Sequence, residues 1–144
     1  MALDTMIMDV VVNLQALAIS SYFNGAKIYI YDGTQPASAA TAISGNTLGV
    51  VLTMHASAPF GYPTSGLLAA GVITNGTATA AITPTWARIC TAAGTPDTSP
   101  PVDVLMDCSC GASGANITVG AFAAGTSVSA SAFSIDIRNV TAGI

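Results

Sequence analysis

Apolar positions along this chain follow two different periods. Leu3, Met6, Ile7, Val10, Val11, Leu14, Leu17 and Ala18 recur at helical spacing, which predicts a helix over 4–23 with one apolar stripe turned to the protein. Asp4 or Thr5 is a cap for its start, and Asn24-Gly25 a left-handed exit at its end. Met8, Val12, Ala16 and Ile19 lie off that stripe. A helix apolar on two faces wants a second partner besides its own sheet, and a neighbouring subunit is the natural candidate. The competing reading puts 10–12 in a strand.

From residue 26 the period becomes two. Ile28 and Ile30 alternate with Lys27, Tyr29 and Tyr31, the pattern of a half-buried strand, and Asp32-Gly33 with Pro36 ends it. Residues 37–46 read as a surface loop, 48–54 as a strand, and 55–66 as a loop broken by Pro59, Gly61, Pro63 and Gly66. Phe60 and Tyr62 give that loop two aromatic anchors, either pinned to the core or offered to a partner. Asn75-Gly76 predicts a hairpin between strands over 67–73 and 77–82. Trp86, Arg88 and Cys90 share one face of the next strand, and 91–101 is a loop. In the following strand Val102, Val104, Met106, Cys108 and Cys110 lie opposite Asp103, Leu105, Asp107 and Ser109. A short strand over 116–119 comes next. Val128 and the set Phe133, Ile135 and Ile137 then differ in parity, which calls for a β-bulge near Ala132. About seven to nine short strands at roughly ten-residue intervals predict an antiparallel β-sandwich, jelly-roll or Ig-like. It occupies 26–144 and follows the N-terminal α-helix in a single domain, 1–144.

Composition adds one strong constraint. Charged residues make up 7% of the chain and hydrophobic ones 51%, against about 25% charged in an average soluble domain. Thr, Ser, Ala and Gly must therefore form the surface, and burial in an assembly is the simplest protection for it. All seven acids are Asp; Lys27, Arg88 and Arg138 are the only Lys or Arg, for a net charge of −4. Three scattered cations cannot track a phosphate backbone, so no nucleic-acid partner is expected. The apolar start has no basic residues and contains Asp4, Asp9, Asn13 and Gln15, so it reads as neither signal peptide nor membrane anchor. An odd cysteine count, three, leaves at least one thiol free or paired with another chain, and fits synthesis in a reducing bacterial cytoplasm.

Candidate chemistry is thin. His55, Cys90, Cys108 and Cys110 make a nominal Cys3His set, but a lone Cys-x-Cys lacks the spacing of a zinc motif, and small thiols are ordinary core residues. A Cys108–Cys110 disulfide is disfavoured because alternate strand positions lie near or beyond the usual limit of about 7 Å between α-carbons. His55 neighbours Ser57 without a nucleophile elbow or a nearby acid. With no Glu, a glycosidase pair would have to come from Asp residues scattered mostly in turns. The chain therefore reads as a non-enzyme with no cofactor and no metal. Arg88 is read as structural, stacked on Trp86 or paired with Asp103 or Asp107. Met8, Val12, Ile19, Phe60 and Tyr62 are the candidate subunit contacts.

Several stretches carry a family resemblance: the N-terminal helix, Ile30-Tyr31-Asp32-Gly33-Thr34-Gln35-Pro36-Ala37-Ser38, and the turn Gly45-Asn46-Thr47-Leu48-Gly49. So do 80–89 with its Thr85-Trp86-Ala87-Arg88 core, 110–119, and 125–135. Together they resemble the small virion structural proteins, of capsid decoration or cement type, of tailed bacteriophages. Residues 91–101 depart from that pattern, being longer and richer in proline. The resemblance implies a virion component on the capsid exterior, made in the host cytoplasm. Its partners would be the major capsid protein and further copies of itself, with a trimer among the candidates, and with no nucleic acid and no membrane. A tail or fibre module binding a receptor or glycan through Phe60, Tyr62 and Trp86 is the alternative, and a small hydrolase using His55 a third.

Overall fold

In the computed structural model, which describes residues 2–96 and 103–137 with the backbone alone for 2–9, the chain is mainly β with one N-terminal helix. Helix α1 spans Ala2–Ser20 and tightens into a 3-10 turn at Ser21–Phe23. Gly25, at φ +65°, turns the chain out as its sequence predicts. Asp4 and Thr5 fall within α1 rather than ahead of it. The strands are β1 (Lys27–Tyr31), β2 (Leu48–Met54), β3 (Leu67–Ala69), β4 (Ile73–Thr74), β5 (Gly76–Thr77), β6 (Trp86–Cys90), β7 (Val104–Gly111), β8 (Ile117–Thr118), β9 (Ser127–Val128) and β10 (Ala132–Asp136). Val102 and Arg138 lie outside the described residues.

A two-sheet antiparallel sandwich is not what these strands form. Eight of them make one curled sheet, a half-barrel, in the order β3-β10-β8-β7-β6-β1-β2-β4, and β5 pairs with β9 in a separate ribbon. The sheet is mixed, because β7 and β8 run parallel through Cys110↔Ile117 and Gly111↔Thr118. Parallel neighbours ordinarily need a crossover of about a dozen residues. Here 112–116 suffices because β8 is two residues long, Gly114 turns at φ +67°, and Ser109 clamps the loop. The Ser109 Oγ–H donates to Asn116 Oδ1 (2.9 Å), and the same oxygen accepts the Asn116 N–H (3.0 Å).

Strand β1 sits between β6 and β2, with Ile28 opposite Ile89 and Leu52, and Ile30 opposite Ala87 and Val50. These residues face the main core inside the curl, joined by Met54, Leu68, Ile117 and Phe133. The opposite face of β1 is buried too, contrary to a half-wet strand: Tyr29, Tyr31, Trp86 and Cys90 form a second cluster with Ile43, Leu48, Val51 and Val104. Two loops cover it. The first, 32–47, is closed by Asp32, whose Oδ1 accepts the Thr47 N–H (2.6 Å) and whose carbonyl accepts Asn46 Nδ2 (2.7 Å) and Trp86 Nε1 (3.1 Å). The second begins after β6 and receives the Tyr29 hydroxyl at the Gly94 carbonyl (3.4 Å).

Arg88 holds both loops. Its side chain is fully buried, and Nε and Nη2 donate to the two carboxylate oxygens of Asp107 at 2.8 Å each. The remaining donors reach backbone carbonyls: Nη1 that of Pro96 (3.2 Å), Nη2 that of Thr41 (3.0 Å). The guanidinium also lies 5.7 Å from the Trp86 ring centroid, and that ring stacks on Tyr31 at 4.7 Å. Asp107 is therefore the partner rather than Asp103, and its hydrogen bond holds the guanidinium pKa above the ordinary value against the opposite pull of burial. A bidentate pair with its spare donors satisfied is the geometry in which a buried charge is tolerated.

Three register features depart from the sequence pattern. Pairing of β6 with β7 shifts between Ile89 and Cys90, so Val104 joins the outer cluster instead of the face of Cys108 and Cys110. Asn75-Gly76 makes no hairpin: β4 pairs with β2 and β5 with β9. The glycine is needed for close approach, since a Cβ there would run into the Val51 carbonyl. The parity change before Phe133 is met not by a bulge but by a change of sheet, from β9 in the ribbon to β10 in the half-barrel.

Two stability predictions follow from this packing. Asp107→Ala leaves a buried guanidinium unpaired and is expected to cost about 3–5 kcal/mol in urea unfolding followed by Trp86 fluorescence; a loss under ~1 kcal/mol would show that the pair is not carrying the outer face. Gly76→Ala is expected to destabilise by about 1–3 kcal/mol through overpacking. Gly120→Ala, with open space around the added carbon, should be neutral or stabilising by up to ~1 kcal/mol.

Candidate interaction surface

The outstanding surface feature is the helix. Among its described side chains Ala16 is fully buried, Val12, Asn13 and Ser20 are half-buried, and Asn13 Oδ1 accepts the Gly66 N–H at 2.9 Å, next to β3. An alanine lets the helix backbone approach closely, and the asparagine satisfies a backbone donor that β3 does not use. The described part of the bulky stripe expected to face inward, from Val10 on, points the other way. Val10 is 59% exposed and Leu14 60%, with Val11 and Leu17 also open to solvent. In a helix this apolar, size and hydrophobicity misidentified the docking face; the small and polar residues among them mark it.

Beyond the helix the apolar surface continues into a groove of about 360 Å³. Ile19 and Tyr22 form one wall, and Leu105, Met106, Ile135 and Ile137 of the sheet the other. Tyr22 itself is 68% exposed. None of the lining residues is Asp, Glu, Lys, Arg or His, so the groove can bind by excluding water from apolar surface.

The five residues singled out as subunit contacts divide accordingly. Ile19 stands in the groove wall and Val12 turns toward the sheet, half-buried. The Met8 side chain lies outside the described residues. Phe60 is a core residue, edge-on to Phe23 with ring centroids at 5.2 Å and beside Phe133 at 5.6 Å, so the 55–66 loop is pinned through it. Tyr62, on the same loop, is 78% exposed. Tyr22, Leu105 and Met106 had no sequence signal, because the groove exists only where the helix end meets β7 and β10.

The thiols are divided between the two clusters. Cys90 lies in the outer cluster and Cys108 and Cys110 in the inner core, so the sheet separates them, and none of the three is in a disulfide. Among the described residues no group of three His, Cys, Asp or Glu is placed to hold a metal ion. His55 Nδ1 accepts the backbone N–H groups of Ser57 (3.2 Å) and Ala58 (3.1 Å), and the Ser57 hydroxyl lies 3.5 Å from the same nitrogen, longer than a good hydrogen bond. Among the described residues no helix is long and apolar enough to cross a membrane.

Burial pushes the Cys108 thiol up to about 12, helped by the negative charge of Cys110 and Asp107, and pushes Cys110 up to about 11 against the Gly111 backbone hydrogen bond. The folded chain then holds thiol protons that the unfolded chain releases from about pH 9, so folding stability is complete below pH 9 and falls as pH rises toward 11–12. Urea midpoints across that range should decline, and Cys108→Ala/Cys110→Ala should flatten the decline. At pH 8 a thiol reagent should label the native chain much more slowly than the urea-unfolded one. Equal rates would contradict the burial.

Against this fold and surface, no protein-family model, no curated protein and no solved structure matches the chain.

Proposed function

We propose that this chain is a non-enzymatic virion structural protein of a tailed bacteriophage, a capsid decoration protein that binds the outer surface of the major capsid shell as an oligomer and stabilises it. The observation that carries the reading is the uncharged helix-and-groove surface on a chain with only 7% charged residues. A free monomer with such a surface is poorly soluble, whereas a lattice-bound one buries it. The turn and strand motifs that resemble virion proteins point the same way. An acidic protein with three Lys and Arg residues in all is also suited to the exterior of a shell packed with DNA.

The fibre alternative needs an aromatic binding face. Trp86 is 1% exposed and engaged with Tyr31, Arg88 and the Asp32 carbonyl, and Phe60 is in the core. Tyr62 alone of that trio remains available. Decoration proteins act by adding subunit contacts, so shell and protein stabilise one another by mass action. Quantitative mass spectrometry of purified particles should give a copy number approaching that of the major capsid protein. A ratio of a few per cent would move the protein to the tail, and absence would end the virion reading.

A further inference from the structure

We propose that residues 35–44 form a lid, which swings off the outer face of the sheet while the rest of the chain stays folded. The loop 32–47 leaves and re-enters the sheet through one firm neck. The Asp32 N–H donates to the Thr47 carbonyl (3.3 Å), Asp32 Oδ1 accepts the Thr47 N–H (2.6 Å), and Asn46 Nδ2 donates to the carbonyls of Asp32 (2.7 Å) and Thr34 (3.0 Å). The Thr85 hydroxyl adds a bond to the Gly33 carbonyl (2.6 Å). A loop closed at such a neck is an Ω-loop. Beyond the neck the chain is free to turn at Gly45, which sits at φ +74°.

The lid has its own shape and a weak hold on the sheet. Inside it the Thr41 N–H donates to the Ser38 carbonyl (3.0 Å), and the hydroxyls of Ser38 and Thr41 lie 3.0 Å apart. None of its residues is buried; Pro36, Ala39 and Ile43 are half-buried and the rest exposed. It is held down by Arg88 Nη2, which donates to the Thr41 carbonyl (3.0 Å) and lies 3.5 Å from that of Ser38. Ile43, its one large apolar residue, packs against the outer cluster. A segment with so little apolar burial opens at a lower free energy than the whole fold. Opening bares Arg88 Nη2 beside the stacked Tyr31 and Trp86 rings, so a buried cation meets solvent without leaving Asp107.

The lid is a property of the free chain, independent of where the protein assembles. Thermolysin cuts before large apolar residues, and it can take the bond between Ala42 and Ile43 only with Ile43 off the sheet. Cutting of an opened state follows its population when closing is the faster step. In the native full chain, mass spectrometry should find that cut at a rate nearly flat in urea well below the unfolding midpoint. An alanine at Gly45 meets nothing within 4 Å but must hold φ +74° while the lid is down, so Gly45→Ala should speed the cut roughly fivefold or more. Gly114→Ala, at φ +67° and also in open space, puts the same strain into the 112–116 loop and should leave the rate unchanged. Trp86 emission should stay native in both variants. A 42–43 bond that resists until the chain unfolds, a rate that climbs with urea as steeply as global unfolding, an unchanged rate in Gly45→Ala, or an equal rise in Gly114→Ala would each overturn the proposal.

Discussion

One buried ion pair organises the outer half of this molecule. Arg88 reaches from β6 to Asp107 on β7 while its spare donors hold the carbonyls of Thr41 and Pro96, on two different loops. Neither loop has the apolar residues to cover a sheet face unaided, being made largely of Ala, Ser, Thr, Gly and Pro. The guanidinium compensates by giving them fixed polar anchors, and Trp86 seals the arrangement by stacking on Tyr31 and binding the Asp32 carbonyl. An isosteric apolar pair could match the packing energy, but not the geometry that ties two loops to one side chain.

That division of labour leaves the helix free for another role. The sheet closes its inner core with its own residues, and the 55–66 loop contributes Phe60 to it. Among its described side chains, residues 10–20, helix α1 adds one fully buried residue, Ala16, and the Asn13 hydrogen bond to Gly66. Val10, Val11, Leu14 and Leu17 are therefore surplus to the fold of one chain.

Local pattern was legible where one residue's neighbours decide its environment. The helix, the strands β1, β2, β6 and β7, the exit at Gly25 and the structural role of Arg88 all follow from period, turn chemistry and charge scarcity. What failed required knowing which elements meet. The inward stripe of α1 was inverted because a small docking patch on Ala16 and Asn13 outranks bulk. The hairpin at Asn75-Gly76 failed because its glycine serves the crossing of β2, not a left-handed turn. The sandwich gave way to a half-barrel because five residues after Gly111 bring β8 alongside β7 in parallel, a return that no pairwise rule anticipates.

The place of β10 in the sheet has a consequence for synthesis. It lies between β3 and β8, pairing with 67–69 on one side and 117–118 on the other. Until the ribosome has released the chain through Asp136, β3 has no seat in the half-barrel, and β8 presents an unpaired edge. The core strands β1, β2 and β6 can associate well before that point, but the structure that protects them completes only at the end. Chain elongation thus holds open an interval in which strand edges stand unpaired.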